Sequence, residues 1–368
     1  MPRFILPLFL AACLQPGVHA QTLDQPSDHA PATNMQGAWD ARANATRAGQ
    51  WREASNEAPA NAALLWNWFR TELDARRSAH NGDLLPADKQ ELEAIAGRIA
   101  GSAPDGFERH MARYFLDFPA PGAFAELEAA HRMAPGRPEL IAPMVTRAMR
   151  TGDDAALLQW CTALRQRGQV APALASVAQD VLRSLPTQAV LFTNGDMDTQ
   201  PVVMDQVLGT TRPGVLVVDR RLLADPVYRA RVWREAEARG TPPPSAGPAF
   251  AIALLQATAR PVYFALSLDR DWLEAFPGQL HVVGAAFRVG AASPDDVDLL
   301  ARNWKAMRKT ADAGPMSRNY LLPGAVLLGR LRQSGDERGA ARVEADLRRI
   351  AAATGATAEL RQMGILQH

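Results

Sequence analysis

Ala189-Val190-Leu191-Phe192-Thr193, running directly into Asn194-Gly195-Asp196-Met197-Asp198-Thr199-Gln200-Pro201, is the stretch that decides the fold. A short, unbroken apolar run suits a strand buried on both faces, as in a parallel sheet. Gly195 then permits a tight or positive-φ turn, and a helix is expected over Val202–Leu208. The same alternation returns further along the chain. Gly214-Val215-Leu216-Val217-Val218-Asp219 reads as a second strand and Arg260-Pro261-Val262-Tyr263-Phe264-Ala265-Leu266 as a third. Leu280-His281-Val282-Val283-Gly284 begins a fourth. Helical stretches at Leu222–Arg239 and Ala249–Thr258 separate them, and the proline-rich Thr241–Pro248 is a surface loop. This alternation predicts a small Rossmann-like parallel sheet of about four strands over residues 186–292, covered by helices through right-handed crossovers.

On either side the period changes to that of helices. From residue 35 to 185 apolar residues recur at three- and four-residue spacing, as in Leu64, Leu65, Trp68, Phe69 and Leu73. Three segments read as antiparallel hairpins: a helix closing at Ala134-Pro135, one over Glu139–Arg150, and one carrying Trp160 after the Gly152-Asp153 turn. Ala325–Gln333, Gly335-Asp336 and Ala340–Ala353 repeat the pattern within residues 293–368. Such units resemble tetratricopeptide-type hairpins, in which small residues let helices approach closely. The predicted fold class is therefore α/β plus all-α: tetratricopeptide-like hairpins flanking a small Rossmann-like sheet.

The 368 residues are 47 % hydrophobic and 21 % charged, enough to bury a sizeable core. Forty Lys and Arg stand against 39 Asp and Glu, a balance that gives no electrostatic case for nucleic acid. The pairs Arg76-Arg77, Arg220-Arg221 and Arg348-Arg349 read as solvated helix faces. Met1-Pro2-Arg3, the apolar Phe4–Leu14 and the small-residue site Val18-His19-Ala20 read as a secretory signal peptide over residues 1–20, cleaved after Ala20. An apolar stretch of about 11 residues is too short to span a membrane, and the mature chain offers no longer one. The expected compartment is the periplasm or the exterior. An alternative is a lipoprotein anchored at Cys13 in Leu10-Ala11-Ala12-Cys13. Residues 21–34 read as a flexible start. Cys161, in an apolar helical run, reads as a buried small hydrophobe.

Ligands of open parallel sheets bind beyond the carboxyl ends of the strands. Asn194, Gly195, Asp196, Asp198 and Thr199 follow the first strand, Asp219 ends the second, and Asp269 and Asp271 follow the third. Two readings stand side by side. In one, Asp196 and Asp198 hold a divalent cation or the hydroxyls of a glycan, joined by Asp219. In the other, Asp198 or Thr199 caps the following helix, Pro201 sits in its first turn and Asp196 orders the turn. Trp66, Trp68 and Phe69 likewise read as core or as a sugar-stacking patch. No His-x-x-x-His, Gly-x-Ser-x-Gly or Gly-x-x-x-x-Gly-Lys pattern occurs, so no catalytic residue is assigned.

Leu191-Phe192-Thr193-Asn194-Gly195-Asp196-Met197-Asp198-Thr199 resembles the LFTNGDNDT signature of a bacterial membrane family, whose members resemble protein O-mannosyltransferases. Thr211–Asp219, Arg260–Ala265 and Arg318-Asn319-Tyr320 are similar to the family's next segments, in the same order, over about residues 186–350. The resemblance is to the family's soluble C-terminal module. It implies that the module is joined here to tetratricopeptide-like helices. Met197 stands where the family has Asn, Gln200 where it has an aromatic, and Val203-Met204 where a Trp/Tyr pair is expected. The expected function is that of an exported, envelope-associated scaffold binding a protein or peptide through its hairpins. The alternative is an enzyme or accessory factor of envelope glycan or glycoprotein assembly, with a sugar or metal at Asp196 and Asp198.

Overall fold

Asp40 opens the first helix by accepting the Ala43 amide at 2.6 Å, and Asn61 opens the second by accepting those of Ala63 and Leu64. The computed structural model describes residues 31–80, 84–209 and 211–367. The leader read over residues 1–20, its cleavage site and Cys13 lie outside the described residues. Among the described residues eight α-helices precede the sheet: α1 (Ala41–Glu57), α2 (Ala62–Ala79), α3 (Pro86–Ser102), α4 (Phe107–Asp117), α5 (Pro121–Met133), α6 (Ile141–Thr151), α7 (Asp154–Gln166) and α8 (Pro172–Arg183). From α1 to α7 each packs against its neighbour in sequence. Their inward residues recur at the spacing that puts them on one face. On α2 these are Leu65, Trp66, Phe69 and Leu73, all buried.

The chain then alternates: β1 (Val190–Thr193), α9 (Asp196–Leu208), β2 (Leu216–Asp219), α10 (Pro226–Glu235), α11 (Pro248–Ala257), β3 (Val262–Ala265), α12 (Arg270–Glu274), β4 (Leu280–Val282) and β5 (Ala286–Val289). It closes with α13 (Asp296–Ala306), α14 (Leu321–Ser334), α15 (Glu337–Ala353) and α16 (Thr357–Gln362). The protein is mostly helical with one small mixed sheet. The strand order is β2-β1-β3-β5-β4. β1 pairs in parallel with both β2 and β3, with Phe192 opposite Val218 and Phe264.

Several expectations are corrected. The sheet has five strands where about four were expected, and it is mixed and not all parallel. β5 pairs antiparallel with β3 and with β4. Only Val283-Gly284-Ala285 joins β4 to β5, too short for a crossover, so the chain turns back as a hairpin. The helix after β1 starts at Asp196, earlier than read, with Gly195 at its N-cap and Pro201 inside it. The segment after β2 is a 3₁₀ turn over Arg220–Ala224 before α10, not one long helix. At the boundary between the stretch read as a flexible start and the helical region, Asn34–Gln36 form a 3₁₀ turn held by a buried Met35 and by the Ala171 amide on the Met35 carbonyl. Trp66 and Phe69 stack at 5.7 Å inside the core, so they form no exposed sugar platform.

Two interior contacts tie these layers together. Asp180 of α8, fully buried, accepts from the amides of Arg308 and Lys309 and from the Tyr320 hydroxyl at 2.8 Å. At the amino end of the sheet, Arg260 donates to the carbonyls of Gln188, Ala189, Gly214 and Glu235. The α6–α7 and α14–α15 turns share one chemistry. Gly152 and Gly335 adopt left-handed φ values of 71° and 78°, and Asp153 and Asp336 cap the next helices. Cys161 is buried in the core, and burial pushes its thiol up to about 12.

Candidate functional site

The first crossover runs from β1 to β2 on one side of the sheet, and the later connection brings β3 to the other. The carboxyl ends of β1 and β3 therefore flank the point where strand order reverses. Gly195, with φ +91°, turns the chain there from strand into helix without the steric cost a side chain would carry. Asn194, Asp196, Asp198, Asp219 and Asp269 all reach this rim. Asp271 is exposed on α12.

Each rim group has partners within the chain. Asp198 Oδ2 accepts from the Asn194 amide and the Ser267 hydroxyl, both at 2.7 Å, which fastens the β1–α9 turn to the loop after β3. Thr199 Oγ1 meets Thr193 Oγ1 at 2.7 Å. The Asn194 side-chain amide donates to the Ser267 carbonyl and to Asp269, and its oxygen accepts from Arg220 Nε. Arg220 also pairs with Asp269. Arg221 bridges Asp196 at 2.7 Å and Asp219 at 2.6 Å, while its own amide is accepted by Asp219. Its guanidinium lies 5.0 Å from the centre of the Phe118 ring. The reading of Arg220-Arg221 as a solvated pair is thus corrected: both serve as counter-charges to the rim carboxylates.

These surroundings push neighbouring carboxyls in opposite directions. Burial is the largest influence on Asp196 and acts to raise it, yet Arg221 and Arg77 outweigh burial and hold it below the usual carboxylate range. Burial lifts Asp198 to about 6, against the pull of the Asn194 amide and the Ser267 hydroxyl. Across from the rim, burial pushes Asp74 of α2 up to about 6. Arg70, Arg77 and Arg47 pull it down, and Asp196 adds to the rise. Burial works to lower Arg221, but Asp196 and Asp219 raise it well above its ordinary value.

Carboxyls driven apart in this way can serve as an acid and a base where a substrate reaches both. Here Asp198 is 3 % exposed, so only Asp196 and Asp269, with side chains 32 % and 34 % exposed, face solvent appreciably. The Asp196–Asp198 pair expected to hold a cation is engaged by Arg221, Gln200, the Asn194 amide and Ser267. Among the described residues no group of three or more His, Cys, Asp or Glu is arranged for a metal ion. Gln200 reaches Thr146 of α6 and the Ala142 carbonyl, joining α9 to the helical array. Two surface depressions, of about 500 and 630 Å³, lie between α6 and α10 and beside the α1–α2 turn, and neither borders the rim. Among the described residues no helix is long and apolar enough to cross a membrane.

Arg221, Arg220, Ser267, Asp74 and Arg77 were not read as site residues. The one signal available for any of them was Arg220-Arg221 standing directly after the strand-ending Asp219. Comparison with family models, with curated proteins and with solved structures returned no match.

Proposed function

We propose that this chain is an exported, envelope-associated interaction protein that binds a protein partner through its helical surface. Its paired helices act as tetratricopeptide-like units, and the sheet, Rossmann-like in its β2-β1-β3 part, docks against them as a brace. What supports this reading most is the state of the rim. Asp196, Asp198, Asp219 and Asp269 all accept from the chain's own arginines, amides or hydroxyls. A carboxylate already bonded in this way gives up those bonds before it can serve a ligand. Apolar side chains left exposed on helix faces, Leu158 of α7 and Val227 of α10 among them, carry no such commitment.

The test has two parts. The exported chain should begin at Gln21 by N-terminal mass spectrometry of the periplasmic fraction. It should also co-purify one protein, identified by peptide mass fingerprint, and Asp196→Ala should retain that protein. A chain that stays unprocessed in the cytosol, or a partner lost with Asp196→Ala, would overturn the reading. A second reading, a glycan bound at the rim, draws on the position of the rim at the strand-order reversal and on the exposure of Asp196 and Asp269. Calorimetry against a panel of envelope sugars, with heat abolished by Asp269→Asn, would favour it.

A further inference from the structure

The outward face of α10 departs from what a surface helix normally shows. Its inward side, Tyr228, Val232 and Trp233, is buried, as expected. The opposite stripe is Val227, Ala230, Arg231 and Arg234, at the spacing of one helical face. Val227 is 68 % exposed and Ala230 is also exposed, where polar residues are the rule. This face and the end of α6 enclose a groove of about 500 Å³, floored by Pro226, Val227 and Ala230 and walled by Arg150, Arg231 and Arg234.

The charge of the groove is one-sided. No acidic residue lines it. Asp153, just past Thr151, caps α7 through the Ala156 amide, and two carboxylates of the α10 side are occupied as well. Asp225, buried, accepts from Arg150 and caps α10 through the Val227 amide. Glu235 pairs with Arg231 at 2.7 Å. Arg234, 74 % exposed, reaches Glu235 only at 3.9 Å. Arg231 is held against the last turn of α6 through the Met149 carbonyl, and its buried Nε has no partner. Three guanidiniums thus face two carboxylates that are already engaged, beside an uncovered apolar strip.

We propose that this groove docks an acidic segment of a partner protein in which an aliphatic side chain adjoins a carboxylate. The aliphatic group lies over Pro226, Val227 and Ala230. The carboxylate meets Arg234 and the free edge of Arg150. Removing the apolar strip from water favours binding wherever the sequence supplies Leu, Ile or Val, while the guanidiniums select the acidic neighbour and reject basic segments. The proposal rests on the reading of the chain as an interaction protein and names the face and the chemistry of its partner.

The experiment is selection of a randomised octapeptide library on the immobilised full chain, followed by fluorescence polarisation of the enriched peptides. Enrichment of Asp or Glu next to Leu, Ile or Val is expected. Arg234→Glu should weaken those peptides by about tenfold or more, Val227→Ser should weaken them several-fold, and rising salt should weaken them further. Both side chains are solvent-exposed, so the variants should melt as the parent does, which circular dichroism checks. No enrichment, enrichment without an acidic excess, or equal binding by Arg234→Glu would overturn the proposal. So would Arg234-dependent binding to phosphatidylglycerol vesicles without peptide enrichment, which would assign the groove to an anionic lipid surface. A co-purified partner that survives the double variant Val227→Ser/Arg234→Glu would sink the groove alone. Absence of any partner would sink the broader reading as well.

Discussion

At the amino end of the sheet Arg260 spreads over four backbone carbonyls, whereas at the carboxyl end Arg221 bridges two carboxylates. Both arginines bind together segments that are distant in sequence. The amino end gathers neutral acceptors that carry the same charge at every pH. The carboxyl end gathers groups that titrate, and Asp198 is lifted into the range where mild acid changes it. One edge of the sheet is therefore a fixed clasp and the other responds to protons.

Removing Arg221 should break this contrast most severely. Arg221→Ala leaves Asp219, almost fully buried, without its counter-charge and should cost about 3–4 kcal/mol in urea unfolding. Arg221→Lys should recover only part of that, because a single ammonium cannot bridge both carboxylates with a forked donor. Next comes the pH response. Native Asp198 keeps its proton up to about pH 6, while the unfolded chain releases it near 3.8. Between those values folding takes up a proton, so stability falls as pH rises and the loss is complete above the upper value. The full contribution of Asp198 is about 2–3 kcal/mol between pH 4 and 7, and Asp198→Asn should remove it, flattening the stability profile measured by denaturation at successive pH values. Half-buried Asp74 acts in the same direction and leaves a residual slope. Asp196, held low, acts in the opposite sense: its contribution is present above the ordinary carboxylate value and is lost only on stronger acidification.

Arg260→Ala should cost about 2 kcal/mol through lost carbonyl bonds, with little change between pH 5 and 8, since an arginine stays charged throughout. An Arg260→Ala deficit that followed pH as Asp198 does would erase the distinction between the two ends. The smallest effects belong to the matched helical turns. Asp153→Ala and Asp336→Ala each remove one cap and should lower stability by about 1 kcal/mol, read as a small shift in urea midpoint.

Much of the architecture was legible because it depends on neighbours in sequence. Unbroken apolar runs marked β1, β2 and β3, and a Gly-Asp pair marked the α6–α7 and α14–α15 turns. β5 escaped because Arg288 interrupts Ala286-Phe287-Arg288-Val289. That arginine is tolerated in the sheet through a two-point bond to Asp296, which only the folded chain brings near. The acidic rim could be located from strand ends alone. Its neutralisation could not: Arg221 reaches Asp196 across 25 positions, and Asp198 meets Ser267 across 69. Charges spaced like that read as solvated in one dimension, and only three-dimensional placement reveals their partners.

Asp180 has a consequence for how the molecule is made. Its phenol partner, Tyr320, follows 140 residues later in the chain, and its two amide donors follow nearly as late. Until those segments follow, Asp180 has within ion-pair reach, among the described residues, only Arg183, one turn along α8 at 3.7 Å. A contact of the span from Asp180 to Tyr320 is closed late and slowly. A chain cut short before Arg308 would leave Asp180 with neither amide nor phenol to meet it, and should be less stable than the full chain.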